Sequence, residues 1–305
     1  MSFDLYFYTQ KNHSLSSEQI ASFLLAHGCV REGEFPQWVY NNEATGVYFS
    51  FEIQPENEDP EDIEIFDSFE NFDNTNFTFN INFIRPNFFA LEAFPFVEKF
   101  ISELNLYALN PQSQEDGDNP RKETADAYYS DWSRANQATS AEYFDEFGLI
   151  HFPLEKSNDY WRYNFHKDEM QETLGDEYFV PSLLLTSRAA TGELITLSTW
   201  TQHIPNVFPP ADYFVISRKR KKILRTVDEN GVLSHKKLMS TFADYLETHD
   251  FKDCHIIHPD NASKAGDTFA NVEFDYPWKG FAKPVDVDSL TNAERSPDQK
   301  AMEED

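Results

Sequence analysis

Basic side chains are the scarce class here: 25 Lys and Arg stand against 53 Asp and Glu, a formal net charge of −28 over 305 residues. The deficit argues against nucleic acid and against an anionic membrane as partners, since both require a surplus of Lys and Arg on one face. A basic protein or a cation would instead be attracted. Cysteine is almost missing, with only Cys29 and Cys254. Two cysteines far apart make no disulfide framework, so the expected compartment is reducing and the expected location cytoplasmic. Glycine is sparse at 10 residues, which leaves few places for a phosphate-cradling loop. The chain has no G-x-G-x-x-G, P-loop, G-x-S-x-G or H-E-x-x-H motif. No apolar run approaches the roughly 18 residues of a membrane span, and the opening MSFDLYFYTQKN lacks the basic and apolar regions of a signal peptide. The expectation is a protein that is not an enzyme and uses no cofactor or metal.

What is abundant is aromatic: 16% of residues, including 29 Phe, enough to build a substantial core. Charge divides the chain. Residues 1–150 hold 7 basic and 27 acidic side chains, and residues 151–305 hold 18 and 26, so the two halves carry −20 and −8. In the first half, FDLYFY (3–8) alternates as a strand does. Ser16 and Gln19 form a capping box ahead of Ile20, Phe23 and Leu24 at helical spacing, and Gly28 closes that helix. Residues 37–41 and 46–53 read as a hairpin, 76–84 as the clearest strand, 87–104 as a helix containing Pro95, and 106–109 as a closing strand. The order β-α-β-β-β-α-β predicts an α+β domain over 1–110 with its helices on one face of an antiparallel-rich sheet, a ferredoxin-like arrangement being one candidate. Residues 111–123, PQSQEDGDNPRKE, read as a linker.

A second α+β domain is expected over 124–283. It comprises a helix at 124–146, strands at 160–165, 178–187, 192–200, 212–220 and 222–227, a turn at Asp228–Gly231, a helix at 234–249 capped by Ser234, and a last strand at 254–259. Residues 284–305 are polar and acidic and read as a disordered tail.

The most distinctive stretch is 52–73, EIQPENEDPEDIEIFDSFENFD, with ten acids and no Lys or Arg; no basic residue occurs between Arg31 and Arg85. Interleaved are Ile63, Ile65, Phe66, Phe69 and Phe72. Charges that speed encounter, mixed with apolar anchors that give affinity once desolvated, are what capture of a basic partner requires. The candidate partner-binding residues are Glu56, Glu58, Asp59, Glu61, Asp62, Glu64, Phe66, Asp67, Phe69, Glu70 and Asp73. The alternative is a solvated face whose aromatics join the core. An EF-hand is not readable here, because the run has no glycine and the wrong spacing. His249, Cys254, His255 and His258 carry metal-ligating atoms, but no C-x-x-C accompanies them, and alternation in a strand would point His255 and His258 to opposite faces. The run Arg218–Lys222 reads as a solvated or intramolecularly paired strand end.

MSFDLYFY, FTFNINFIRPNFFALEAFPFVEKF, YFVPSLLLTS and DYFVISRKR resemble bacterial proteins encoded beside secreted toxins, the immunity proteins of polymorphic and type VI secretion toxins. The resemblance covers about half the chain and implies a cytoplasmic protein that binds a cognate toxin and occludes its active site without catalysis. An acidic face suits a toxin with a basic, nuclease-type active-site surface. The alternative is a hydrolase-type enzyme acting through scattered Asp, Glu and His, including one that reverses a toxin's modification. A third reading is an adaptor whose acids serve only solubility.

Overall fold

Alternation along β1 (Ser2–Gln10) decides how the first half folds. Phe3, Leu5 and Phe7 are fully buried while Asp4 and Tyr6 between them are half-exposed, so one face of the strand needs a core and the other does not. The structure is a computed structural model and describes residues 1–13, 15–33, 36–113, 119–222 and 225–295. After β1 comes α1 (Ser17–Ala26), opened by the predicted capping box of Ser16 and Gln19. Then follow β2 (Val30–Glu32), β3 (Gln37–Asn42), β4 (Val47–Ile53), a short α2 (Pro60–Phe66), β5 (Phe72–Asn82), α3 (Phe88–Glu103) and β6 (Tyr107–Leu109).

These strands form one antiparallel sheet in the order β2-β3-β4-β5-β1-β6. β1 and β4 both pair with β5, so they run parallel to each other with one strand between them. That is the split β-α-β arrangement of a ferredoxin-like core, here widened at one edge by β2 and β3. α1 and α3 lie on the same face. Phe100 of α3 meets Phe7 and Phe51 of the sheet at 4.9 Å between ring centroids and Phe23 of α1 at 5.4 Å. Each such buried Phe contributes about 1.5–3 kcal/mol of transfer free energy. α3 runs through Pro95, which sits on the exposed side, where the carbonyl it leaves without a partner can meet water.

α4 (Ala125–Glu142), capped by Thr124, packs beside α3. Its Asn136 holds the backbone after β5. The Asn136 carbonyl accepts from the N–H groups of Ile84 and Arg85 at 2.7 and 3.2 Å, and its amide donates to the Arg85 carbonyl at 2.8 Å. That clamp fixes Ile84 at φ +62°, a conformation a β-branched residue rarely adopts.

The chain divides into two compact units, Met1–Leu154 with Asp288–Asp305, and Glu155–Val287, so the second is inserted into the sequence of the first. The boundary differs from the expected linker at 111–123. Residues 114–118 of it lie outside the described residues; the rest belongs to the first unit, and Arg121 exchanges two backbone hydrogen bonds with Ala108 of β6, at 2.8 and 3.0 Å. The expected disordered tail is also corrected over 284–295. Leu290–Thr291 pairs in parallel with β7 (Ile150–His151), and both residues are fully buried. Asp288 accepts from Tyr48 at 3.0 Å and pairs with Arg85 at 3.2 Å, and Arg295 pairs with Asp145 at 2.8 Å. A polar segment is ordered here because its few side chains each meet a specific partner. Residues 296–305 lie outside the described residues.

The second unit comprises α5 (Leu154–Leu174), β8 (Leu184–Arg188), β9 (Leu194–Thr201), β10 (Asn206–Phe208), β11 (Tyr213–Lys222), β12 (Arg225–Ser234), α6 (His235–Phe242), β13 (Glu247–Thr248), β14 (His255–Ile257), α7 (Pro259–Lys264), α8 (Gly266–Asn271), β15 (Tyr276–Pro277) and β16 (Ala282–Pro284). One sheet has the order β15-β12-β11-β9-β8-β16, with β9 and β11 parallel, and a smaller one the order β10-β14-β13. Trp200 centres the core, with Phe208, Phe242 and Phe269 at 4.9, 4.8 and 4.6 Å. The fold class is α+β.

Three elements differ from expectation. YWRYNF (160–165) is part of α5: its buried residues Tyr160, Tyr163 and Asn164 recur at i, i+3 and i+4, and Asn164 makes two hydrogen bonds to the Leu183 backbone. The expected turn at Asp228–Gly231 lies inside β12, whose pairing with β11 continues to Ser234. The helix expected over 234–249 is cut to α6 and a 3-10 turn at Ala243–Tyr245, after which the chain enters β13.

Candidate functional site

The face of the first sheet opposite α1 and α3 carries polar side chains: Asp4 on β1, Ser50 and Glu52 on β4, and Thr78, Asn80 and Asn82 on β5, with Thr78 buried and the others half-buried. Asn80 donates to Asp4 at 2.6 Å. The acidic segment lies across the end of this face, and local chemistry explains its form. Asp59 accepts the Glu61 N–H at 2.9 Å as an N-cap, Pro60 occupies the first helical position, and Glu61 and Asp62 fill the first turn. These form α2 within the acidic, partly apolar stretch; Asp-Pro followed by two acids is the sequence signal for it.

Each predicted site residue can now be placed. Glu56 and Glu58 lie in the loop entering α2, Asp59 caps it, and Glu61, Asp62 and Glu64 are on it; all six are exposed. Asp67 ends the helix and is tethered by the amides of Asn57 and Asn74 at 2.9 and 2.7 Å. Glu70 lies in the turn before β5, and Asp73 on β5 pairs with Thr9. Phe66 and Phe69 are used within the fold. The Phe66 ring stacks on Tyr6 at 4.5 Å, and Phe69 meets Tyr8 edge-on at 5.2 Å. Tyr8 also donates to the Phe66 carbonyl at 2.9 Å. The apolar side chains turned to solvent are Ile63 and Ile65, 41% and 54% exposed. The segment is thus pinned by its phenylalanines and presents two isoleucines among carboxylates.

Beside α2 lies a cleft of about 590 Å³. Tyr6 and Phe66 form its aromatic side, Asn74, Asn76 and Thr78 its floor, and Glu56, Glu58 and Asp62 its rim. Burial raises the Tyr6 phenol above its ordinary value, and the Asp4, Asp62 and Glu52 carboxylates add to the rise. Burial likewise holds the Tyr8 phenol protonated, assisted by Asp67 and Tyr6. Ion pairing between Lys or Arg and Glu52, Glu56, Glu58 or Asp62 is absent among the described residues. An anionic cleft with an aromatic side accommodates a lysine or arginine side chain. Tyr6, Asn74, Asn76 and Thr78 were not singled out from sequence, although their positions on the polar side of alternating strands were readable.

The histidine cluster is dispersed. His249 Nδ1 accepts from the Phe251 N–H at 3.0 Å, His258 Nδ1 meets the Tyr178 hydroxyl at 2.7 Å, and Cys254 is fully buried, its thiol pushed up to about 12 by burial and Asp253. Among the described residues, no three or more His, Cys, Asp or Glu side chains are placed to hold one metal ion. In the basic run, Arg218 is structural. It is 6% exposed, pairs with Glu229 at 2.8 Å and donates to the carbonyls of Phe269 and Val272 at the end of α8. The side chains of Arg220, Lys221 and Lys222 lie outside the described residues. Among the described residues no helix is long and apolar enough to cross a membrane. No protein-family model matches the chain, and comparison with curated proteins and with solved structures found no similar protein.

Proposed function

We propose that this chain is a binding protein that captures a basic partner protein on the face carrying α2, and that the partner is a secreted bacterial toxin whose active-site surface it covers. One observation carries the reading: Ile63 and Ile65 are exposed at the centre of a ten-acid stretch that contains no base, beside a cleft rimmed by carboxylates. The acids steer a cationic surface to this face, and the isoleucines, desolvated on contact, slow its departure. The toxin assignment rests on the sequence resemblance, and the polarity of the face supports a nuclease-type target.

The test begins with the tagged full chain exposed to a lysate of its own host, followed by mass spectrometry. One stoichiometric basic partner, released by high salt, is expected. Reversal of Glu58, Asp59, Glu61 and Asp62 to Lys should then slow association with that partner by at least about tenfold and flatten its salt dependence. Association rates that do not change on reversal would remove α2 as the contact surface, and recovery of no partner would remove the reading itself.

A further inference from the structure

We propose that the second unit holds a small-ligand site, independent of the α2 face, that takes an organic amine with an apolar body. The site is a pocket of about 370 Å³ between the last turns of α5 and the turn at 249–254, within the size range of small-molecule sites. Met170, Leu174 and Phe251 make its apolar floor, with Met170 buried and the other two half-buried. The helix residues lining it fall at 166, 169, 170, 173 and 174, so a single face of α5 supplies one whole wall.

Two imidazoles face this pocket, and the backbone sets their polarity. His166 Nδ1 lies 2.8 Å from the Arg162 carbonyl and must donate to it, so Nε2 of the neutral ring is an acceptor. His249 Nδ1 accepts from the Phe251 N–H, so the neutral ring carries its proton on Nε2. The turn bearing His249 is braced: the His249 N–H donates to the Cys254 carbonyl at 3.0 Å, and the Cys254 N–H to the Phe251 carbonyl at 3.1 Å. The Phe251 ring is held between Tyr163 and His166 at 6.2 and 5.7 Å.

Charge selects the ligand. Glu169 and Asp250 stand exposed at the rim. The neighbouring cations on these elements have other partners: Lys167 pairs with Asp168 at 2.8 Å, and Arg162 and Lys252 both pair with Asp159, at 2.7 and 3.2 Å. An ammonium group can therefore donate to Glu169, Asp250 and His166 Nε2 while its apolar body covers Met170, Leu174 and Phe251. A neutral molecule of the same shape forgoes the charge-assisted bonds, and an anion meets two carboxylates.

The experiment uses the full chain labelled at its methionine methyl groups. The chain has four methionines, of which Met170 lies in the pocket and Met239 on α6 serves as an internal control. Phenethylamine should shift the Met170 methyl signal saturably, with a Kd of about a millimolar, and leave that of Met239 in place. Phenethyl alcohol, with the same body and no charge, should bind about tenfold more weakly. The variant E169Q/D250N changes only exposed side chains and should lose the same factor for the amine, its unperturbed Met170 and Met239 signals reporting that the unit is folded. A Met170 signal that does not move at about 10 mM amine, equal affinity for amine and alcohol, or full amine affinity in E169Q/D250N would each overturn the proposal.

Discussion

The two faces of the first sheet share every strand and have opposite chemistry. On one, Phe3, Phe7, Phe51, Phe77 and Phe79 are buried to within 1% of full exclusion beneath α1 and α3. On the other, Asp4, Ser50, Glu52 and Asn80 are half-buried and Thr78 is buried, with the α2 segment lying at the end of the face beside Tyr6 and Thr78. The period of two residues separates the roles: odd positions of β1 hold the fold together, and even positions form the polar surface against whose end the α2 segment is mounted. Tyr6 and Tyr8 join the two, as they stand on the even side of β1 and fix the segment through Phe66 and Phe69.

Substitutions can separate the faces. The largest effect is expected on the helix side: Phe100→Ala, which empties a ring packed against Phe7, Phe23 and Phe51, should cost about 3–5 kcal/mol in chemical denaturation. A loss below about 1 kcal/mol would mean that this face is not the core of the unit. On the open side, the double substitution Ile63→Ala, Ile65→Ala should leave the denaturation midpoint nearly unchanged while raising the dissociation rate of the proposed basic partner about tenfold. If stability fell instead, the isoleucines would belong to the fold and the distinction between the faces would fail.

A smaller effect tests the tyrosine link. The folded state raises the Tyr8 and Tyr6 phenols above their ordinary value. Their stabilisation is therefore fully present below about pH 10, the unfolded tyrosine value, and is lost as pH rises beyond it, because the unfolded chain then releases protons that the folded chain retains. Tyr8→Phe should cost about 1 kcal/mol at neutral pH through the lost bond to the Phe66 carbonyl. It should also reduce the alkaline loss of stability. An unaltered alkaline limb in that variant would show that the phenol over α2 is not what titrates.

Much of the first unit was legible in the sequence because its signals are local. The capping box at Ser16, the hairpin of β3 and β4, and the alternation in β5 each lie within a few residues and recur in the structure. Where reading failed, the deciding contact was distant or the local signal was divided. Tyr160, Trp161 and Tyr163 have strand-favouring aromatics, yet they lie in α5, where Asn164 and Tyr163 reach the backbone at Leu183 and Pro181. Asp228–Gly231 resembles a turn, but β11 provides a continuous partner that carries β12 through it. For the candidate site, the acids were readable as a cluster, whereas the division of its apolar residues between fold and solvent was not: Phe66 and Ile65 are neighbours in sequence with opposite surroundings.

Composition and hydrophobic period determined the sign of the net charge and the α+β character of the fold, because charge count and residue spacing need no knowledge of what packs where. Tertiary structure alone decided that the second unit interrupts the first, that residues 288–295 return to complete the first unit, and that two isoleucines rather than two phenylalanines face solvent on α2. The reason is the range of the contacts: Asp288 with Arg85, Leu290 with Ile150, and Phe66 with Tyr6 join residues far apart in the chain, and no short window of sequence contains both partners.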